Sequence, residues 1–331
     1  MFAFVTGCEG PEGPMGPAGA DGTNGTDGTN GVDGKDGVDG NVTCLECHSA
    51  TTPDITMEQF RQSAHSKGAI AVDYAGGRKS CAKCHSHEGY LEFARTGTVA
   101  QDIATPSAWQ CKTCHNIHTT FEETDYALRL NAPVTFASDP TTAVDLGNSN
   151  TCANCHQARR AEPNLDVPGE TFVITSTHYG PHYGTQANIL YGVGFASIPG
   201  DYTYPVVGQS PHMQEGAKCT GCHMYDYGNG KGGHTFNPAL DACNTCHGAD
   251  NSDFNYKNTQ TEVSEMLVEL KGQLMDLGVL DAEGHVVPGT YPMLQAQAYF
   301  NYDGMLEDRS LGAHNPEYVK AILKNTIAAL K

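Results

Sequence analysis

Six copies of Cys-x-x-Cys-His run through the 331 residues. They are Cys44-Leu-Glu-Cys47-His48, Cys81-Ala-Lys-Cys84-His85, Cys111-Lys-Thr-Cys114-His115, Cys152-Ala-Asn-Cys155-His156, Cys219-Thr-Gly-Cys222-His223 and Cys243-Asn-Thr-Cys246-His247. Together they take twelve of the thirteen cysteines and leave only Cys8, so no pair remains for a structural disulfide. Cys-x-x-Cys-His is the attachment pattern of c-type haem. The two thiols add across the vinyl groups, and the adjacent histidine reaches the iron from one face. Structural zinc sites also use Cys-x-x-Cys pairs, but they do not require a histidine directly after the second cysteine. Here all six pairs have one, so the pattern implies six covalently held haems.

Covalent tethers change what fold is needed. Apolar residues make up 39% of the chain and there is one Trp, which makes a conventional core thin. The expected fold is mainly α with extensive loops, wrapped around the haems and containing little β structure. The formal net charge of −19 argues against nucleic acid as a partner, because the phosphate backbone needs a basic patch. The acidity serves solubility or a cationic redox partner. No run of eighteen apolar residues exists, so no transmembrane helix is expected. Because c-type haem is attached outside the cytoplasm, export is expected.

The first forty residues have a different character. Val5-Thr6-Gly7-Cys8 resembles a lipoprotein cleavage box, which makes Cys8 the expected lipidation site and residues 1–8 the remnant of a signal. Within 9–40, glycine recurs at every third position from Gly10, with proline at 11, 14 and 17. That is the collagen pattern, in which only glycine fits the axis of three polyproline-II strands. Ten such triplets could reach about 90 Å. They read either as a trimerising stalk or as an extended spacer. The haem domain is expected over 41–253 and a helical segment packing on it over 254–331.

Fifteen histidines supply the iron ligands. His48, His85, His115, His156, His223 and His247 are the proximal set. Candidates for the opposite faces are His65, at the end of a short helix beginning at Thr56, and His118, three residues past His115. His178 and His182 could share a helix face, with His182 favoured because a helical run, 185–191, follows it. His212, His234 and His314 complete the list. His87 lies too near His85 to reach the other face of the same haem. Arg159 and Arg160, just after the fourth unit, could neutralise propionates. Past Asp253, Thr259 and Glu262 suggest a capping box. Val263, Met266, Leu267, Leu270, Leu274 and Leu277 form one apolar stripe that Gly278 stops. A last helix starts at Asn315-Pro316.

These residues resemble the multihaem c-type cytochromes of dissimilatory metal-reducing bacteria, many of them outer-surface lipoproteins. The likeness covers about 41–331 and rests on the six haem units, HYGPHYGTQANIL and SPH…CTGCHM…GHTF…CNTCH. The latter half is also similar to the pentahaem ammonia-forming nitrite reductases. That similarity implies that His212 serves the haem of Cys243/Cys246, that His314 serves the haem of Cys219/Cys222, and that His234 reaches an earlier haem. Those reductases replace one proximal histidine by lysine and leave an iron face open, and no Cys-x-x-Cys-Lys occurs here.

The resulting expectation is a hexahaem electron carrier with two histidines on each iron, exported and anchored in the outer membrane through Cys8 with its haems facing the exterior. Its partners would be other redox cytochromes or extracellular acceptors such as metal oxides, and the stalk could make it a homotrimer. Alternatives are a periplasmic or secreted carrier, a reductase of the nitrite or hydroxylamine class with one open haem, and a cytochrome filament.

Overall fold

Cysteines three apart share one face of a helical turn, and every haem-type unit in the described residues forms such a turn. In chain order the helices are α1 (Thr52–Gln62), α2 (Ala64–Lys67), α3 (Lys79–His85), α4 (His87–Thr96), α5 (Cys111–Cys114), α6 (Asn150–Ala153), α7 (Gln186–Tyr191), α8 (Lys218–His223), α9 (Leu240–His247), α10 (Thr259–Asp276), α11 (Met293–Glu307) and α12 (Pro316–Ala329). The computed structural model describes residues 52–117, 127–163, 170–214, 216–228, 231–249 and 251–331. Cys8, the glycine triplets, Cys44, Cys47, His48 and His118 lie outside the described residues.

Strand is scarce, as expected. Among the described residues there are three separate two-stranded antiparallel ribbons: β1 (Val134–Phe136) with β2 (Asp139–Val144), β3 (Thr171–Ile174) with β6 (Gly289–Pro292), and β4 (Asp226–Gly228) with β5 (Lys231–Gly232). The β3–β6 register sets Thr171 opposite Pro292 and Ile174 opposite Gly289, so the middle of the chain is stitched to its C-terminal part. Met293 extends the stitch by donating from its backbone N–H to the Glu170 carbonyl at 3.0 Å.

The haem-unit helices α3, α5, α6, α8 and α9 are too short to persist alone in water. Local caps and crossings hold them. Ser86 ends α3 in extended backbone and caps α4 by accepting from Gly89 N–H at 3.2 Å. A Cβ at Gly89 would lie 2.4 Å from the Ala82 carbonyl oxygen, so glycine permits the close turn from α3 to α4.

Most large apolar side chains gather elsewhere, in α10, α11 and α12. Val263, Met266, Leu267, Leu270 and Leu274 line the inner face of α10, against Tyr318, Val319, Ile322 and Leu323 of α12. Ile174, Ile189 and Phe195 join this core, so the C-terminal helices and the 172–204 region share it. Leu277 does not: α10 ends at Asp276, Gly278 takes φ +70° and Leu277 is left 39% exposed.

The expected Thr259–Glu262 capping box does not form. Asn255 supplies the cap instead, accepting from Gln260 and Thr261 N–H at 2.9 and 3.2 Å. Glu262 turns to Lys320 and Lys324 of α12, at 2.6 and 2.7 Å, where two ammonium groups compete successfully for its oxygens. The cap of α12 is as expected, with the Asn315 side chain accepting from Tyr318 N–H and Pro316 following.

Helix α11 is absent from the sequence reading. It is buried on every side, including Ala296, Tyr299, Phe300, Asn301 and Met305, so it shows no polar face and no helical stripe. Gly304 lets it approach Phe195 so closely that a Cβ would sit 1.9 Å from that ring. Among the described residues no helix is long and apolar enough to cross a membrane.

Candidate haem sites

Each of the five described proximal histidines faces a second histidine across a similar gap. Ring centres are 6.0 Å apart for His85 and His182, 6.2 Å for His115 and His234, and 6.0 Å for His156 and His65. The remaining pairs are His223 with His314 at 6.2 Å and His247 with His212 at 6.0 Å. The rings are not stacked: their planes are inclined by between 31° and 85°. A metal bonded at about 2 Å to a nitrogen of each of two opposed imidazoles sets the nitrogens about 4 Å and the ring centres about 6 Å apart. The spacing therefore suits an iron between each pair.

The sites also fit haem in other respects. The ten described cysteines of the five units are free thiols. His156 is exposed and Cys155 and His314 are part-exposed, so none of the three is sealed off by neighbouring side chains. Burial holds His65 and His182 down to a pKa of about 4, with the neighbouring His156 and the Arg159 guanidinium respectively adding to the effect. Both rings are thus neutral near pH 7, the form that binds iron.

Each paired partner comes from a distant element. His65 stands in α2, whose N-cap Ser63 interrupts the helix that the sequence suggested would run from Thr56 to His65. Its ring also packs edge-on against Trp109 and Phe236, at 5.4 and 4.9 Å. His234 follows β5 and is fixed by its backbone N–H donating to Gln59 Oε1 at 3.1 Å. His212 lies in a single 3-10 turn capped by Ser210. His182 and His178 do not share a helix face. Pro181 and the glycines at 180 and 184 (φ +150° and +98°) break the segment, and His182 itself takes φ +77°. His182 meets His85, whereas His178 is exposed to solvent. His87 is buried and its Nδ1 lies 2.7 Å from Thr113 Oγ1, a packing role.

Hydrogen-bond partners orient several of these histidine rings. His223 Nδ1 lies 2.9 Å from the Phe236 carbonyl oxygen, and His156 Nδ1 lies 3.2 Å from Gln186 Oε1. Gln186 Nε2 donates to the Glu307 and Asp308 carbonyls, both at 3.3 Å, which turns its oxygen toward His156. His314 Nδ1 stands 2.6 Å from Oδ1 of the fully buried Asp308 side chain. Burial opposes the charged form of His314, but that carboxylate carries its pKa above the ordinary value. None of these outer partners was singled out from the sequence, because each is distant from its histidine's own unit or, for Asp308, unremarkable in composition.

The units abut one another. Cys84 Sγ donates to the Asn154 carbonyl and Cys155 Sγ to the Lys83 carbonyl, both at 3.8 Å, while Cys152 lies beside Cys219 and Cys114 lies near both Cys152 and Cys155. Ser149 reinforces one junction by accepting from Thr220 N–H at 3.1 Å. Cys222 lies close to Cys243 and Cys246. The second, fourth, fifth and sixth units thus follow in a row, with the third beside the fourth.

No family model matches the chain, and no curated protein matches it. Its fold does occur in a cytochrome of known structure. That protein is the outer cell wall cytochrome OcwA: the TM-score is 0.55 at 19% identity, over 83% of this chain and 50% of the OcwA chain. The chain thus spans about half the length of that cytochrome.

Proposed function

We propose that the protein is a hexahaem c-type cytochrome that transfers electrons by an outer-sphere route. The observation that carries this reading is the set of five histidine pairs with ring centres 6.0–6.2 Å apart, each pair including the histidine of a Cys-x-x-Cys-His unit. Haem, when bound, supplies a one-electron ferric/ferrous couple whose potential depends on ligand, burial and nearby charge. The chain's own residues would do the rest. Cys81/Cys84, Cys111/Cys114, Cys152/Cys155, Cys219/Cys222 and Cys243/Cys246 tether five haems, and the five pairs ligate them on both faces. Two histidines per iron leave no vacancy for a small substrate, which favours electron carriage over nitrite-type catalysis. Cys44, Cys47 and His48 would hold the sixth haem, with His118 and His178 as the remaining candidates for its opposite face. Adjacent thiols bring neighbouring sites close together, as electron relay requires.

For location, the lipoprotein-like box at Cys8 and the fold shared with an outer cell wall cytochrome support an exported protein at the cell surface. There it would pass electrons to other cytochromes or extracellular acceptors such as metal oxides, with the glycine triplets holding the haem domain away from the membrane. Pyridine haemochrome analysis of protein matured with the c-type machinery should give six haems per chain, and low-temperature EPR should give low-spin ferric signals only. Fewer than about six haems sinks the hexahaem reading, and a stoichiometric high-spin signal turns it toward an open-haem reductase.

A further inference from the structure

The second, fourth and fifth units lie in an unbroken row: Cys84 Sγ donates to the Asn154 carbonyl and Cys155 Sγ to the Lys83 carbonyl, both at 3.8 Å, and Thr220 N–H donates to Ser149 Oγ at 3.1 Å. The charges at its two ends are opposite. At the fifth unit, the buried Asp308 carboxylate accepts from His314 Nδ1 at 2.6 Å, opposite His223. At the fourth, the outer partner of His156 is the neutral amide of Gln186. At the second, cations gather: Lys83 lies within the unit, and Arg159 N–H donates to the Pro181 carbonyl at 2.9 Å, which sets Arg159 and the adjoining Arg160 beside the His182 segment.

From this arrangement, and resting on the proposed haem reading, we infer that Asp308 and Arg159 are positioning residues that grade the potentials along the row. The lowest is at Cys219/Cys222, the highest at Cys81/Cys84, and Cys152/Cys155 lies between. A carboxylate accepting from Nδ1–H makes the imidazole a stronger donor and stabilises the ferric state, which lowers the potential. A nearby cation penalises the more positive ferric state and raises it. Gln186 does neither. An electron arriving at the Cys219/Cys222 site therefore runs downhill through Cys152/Cys155 to Cys81/Cys84. The row has a direction, which identical bis-histidine ligation at every site would not give it.

Ser310 supplies an internal control, because its hydroxyl donates to the other Asp308 oxygen. Removing that donor concentrates the carboxylate's charge on His314.

The test is spectroelectrochemical titration with EPR on the full-length holoprotein, after haem counting. Asp308→Asn is expected to move the most negative component upward and change the g-anisotropy of one low-spin signal. Asp308→Glu restores both in large part. Arg159→Gln moves the most positive component downward. Ser310→Ala moves the most negative component further down, and it keeps the proposal testable if Asp308→Asn fails to mature. With a full haem complement, unchanged potentials and EPR in Asp308→Asn overturn the proposal. So does an upward shift in Ser310→Ala, or an Arg159→Gln shift in the same direction as Asp308→Asn. A wild-type protein lacking haem sinks the underlying reading instead, and the haem count separates the two failures.

Discussion

Phe236 and His223 are joined by a contact that ties three of the histidine pairs together. The Phe236 carbonyl oxygen lies 2.9 Å from His223 Nδ1, and the Phe236 ring packs edge-on against His65 at 4.9 Å and His234 at 5.9 Å. To reach all three, Phe236 adopts φ +57°, a left-handed conformation disfavoured for a side chain of its size. Such strain persists only where the surroundings impose it. Phe236→Ala keeps the carbonyl but removes the wall shared by His65 and His234. The expected result is a loss of about 1–3 kcal/mol in denaturant stability. Two low-spin EPR signals should broaden while that of the His223 haem stays sharp. Broadening confined to the His223 signal would contradict this assignment.

Replacing a paired histidine should open one iron. His182→Ala leaves His85 without its opposing ring, so one haem's worth of high-spin ferric signal should appear. His178→Ala, four residues earlier, should leave the Cys81/Cys84 haem six-coordinate, since the His178 ring is exposed and it is His182 that meets His85. If His178→Ala produces the high-spin signal of that haem and His182→Ala does not, the pairing is wrong.

The sequence displays motifs more readily than the crossings between them. The mainly helical character, the α10 stripe and the Asn315 cap were legible because each is local: a repeat, a 3.6-residue period, a capping residue. Of the seven histidines proposed for opposite faces, the structure brings five to within 6.2 Å of a described unit's histidine. Their partners for His65, His182 and His234 had no sequence signal, because each joins segments far apart in the chain. Helix α11 was missed for a different reason. Periodicity reports a boundary between core and water, and a helix enclosed by protein has no such boundary.

That enclosure makes α11 sensitive to polar deletion. Asn301 is fully buried, accepts from Ala196 N–H at 2.9 Å, and donates to the Ala196 carbonyl and Thr326 Oγ1 at 2.9 and 3.0 Å. Asn301→Ala leaves the Ala196 groups unpaired in the core, and should cost about 2–4 kcal/mol. Chemical denaturation should show an earlier midpoint with the haem absorption spectrum unchanged in the native baseline. A stability equal to wild type would mean that water replaces the lost amide.

Asp303, on the same helix, should make stability fall as pH rises. Burial and then the neighbouring Glu307 carboxylate push its pKa up to about 7, although a hydrogen bond with Tyr299 opposes the shift. The unfolded chain titrates this group near 3.9. Between about pH 4 and pH 7 the folded protein therefore holds a proton that the unfolded chain has released. In that window stability declines with pH, and the decline is complete above the folded value. Three units correspond to an upper limit of about 4 kcal/mol, and partial solvent access reduces this to about 2 kcal/mol. Asp303→Asn mimics the protonated carboxyl at every pH. The variant should match wild type near pH 4 and exceed it by about 2 kcal/mol at pH 8. The measurement is the difference between the two unfolding free energies across that range. A difference that stays constant, or that favours wild type at pH 8, would show that the Asp303 carboxylate is already ionised and well solvated at neutral pH.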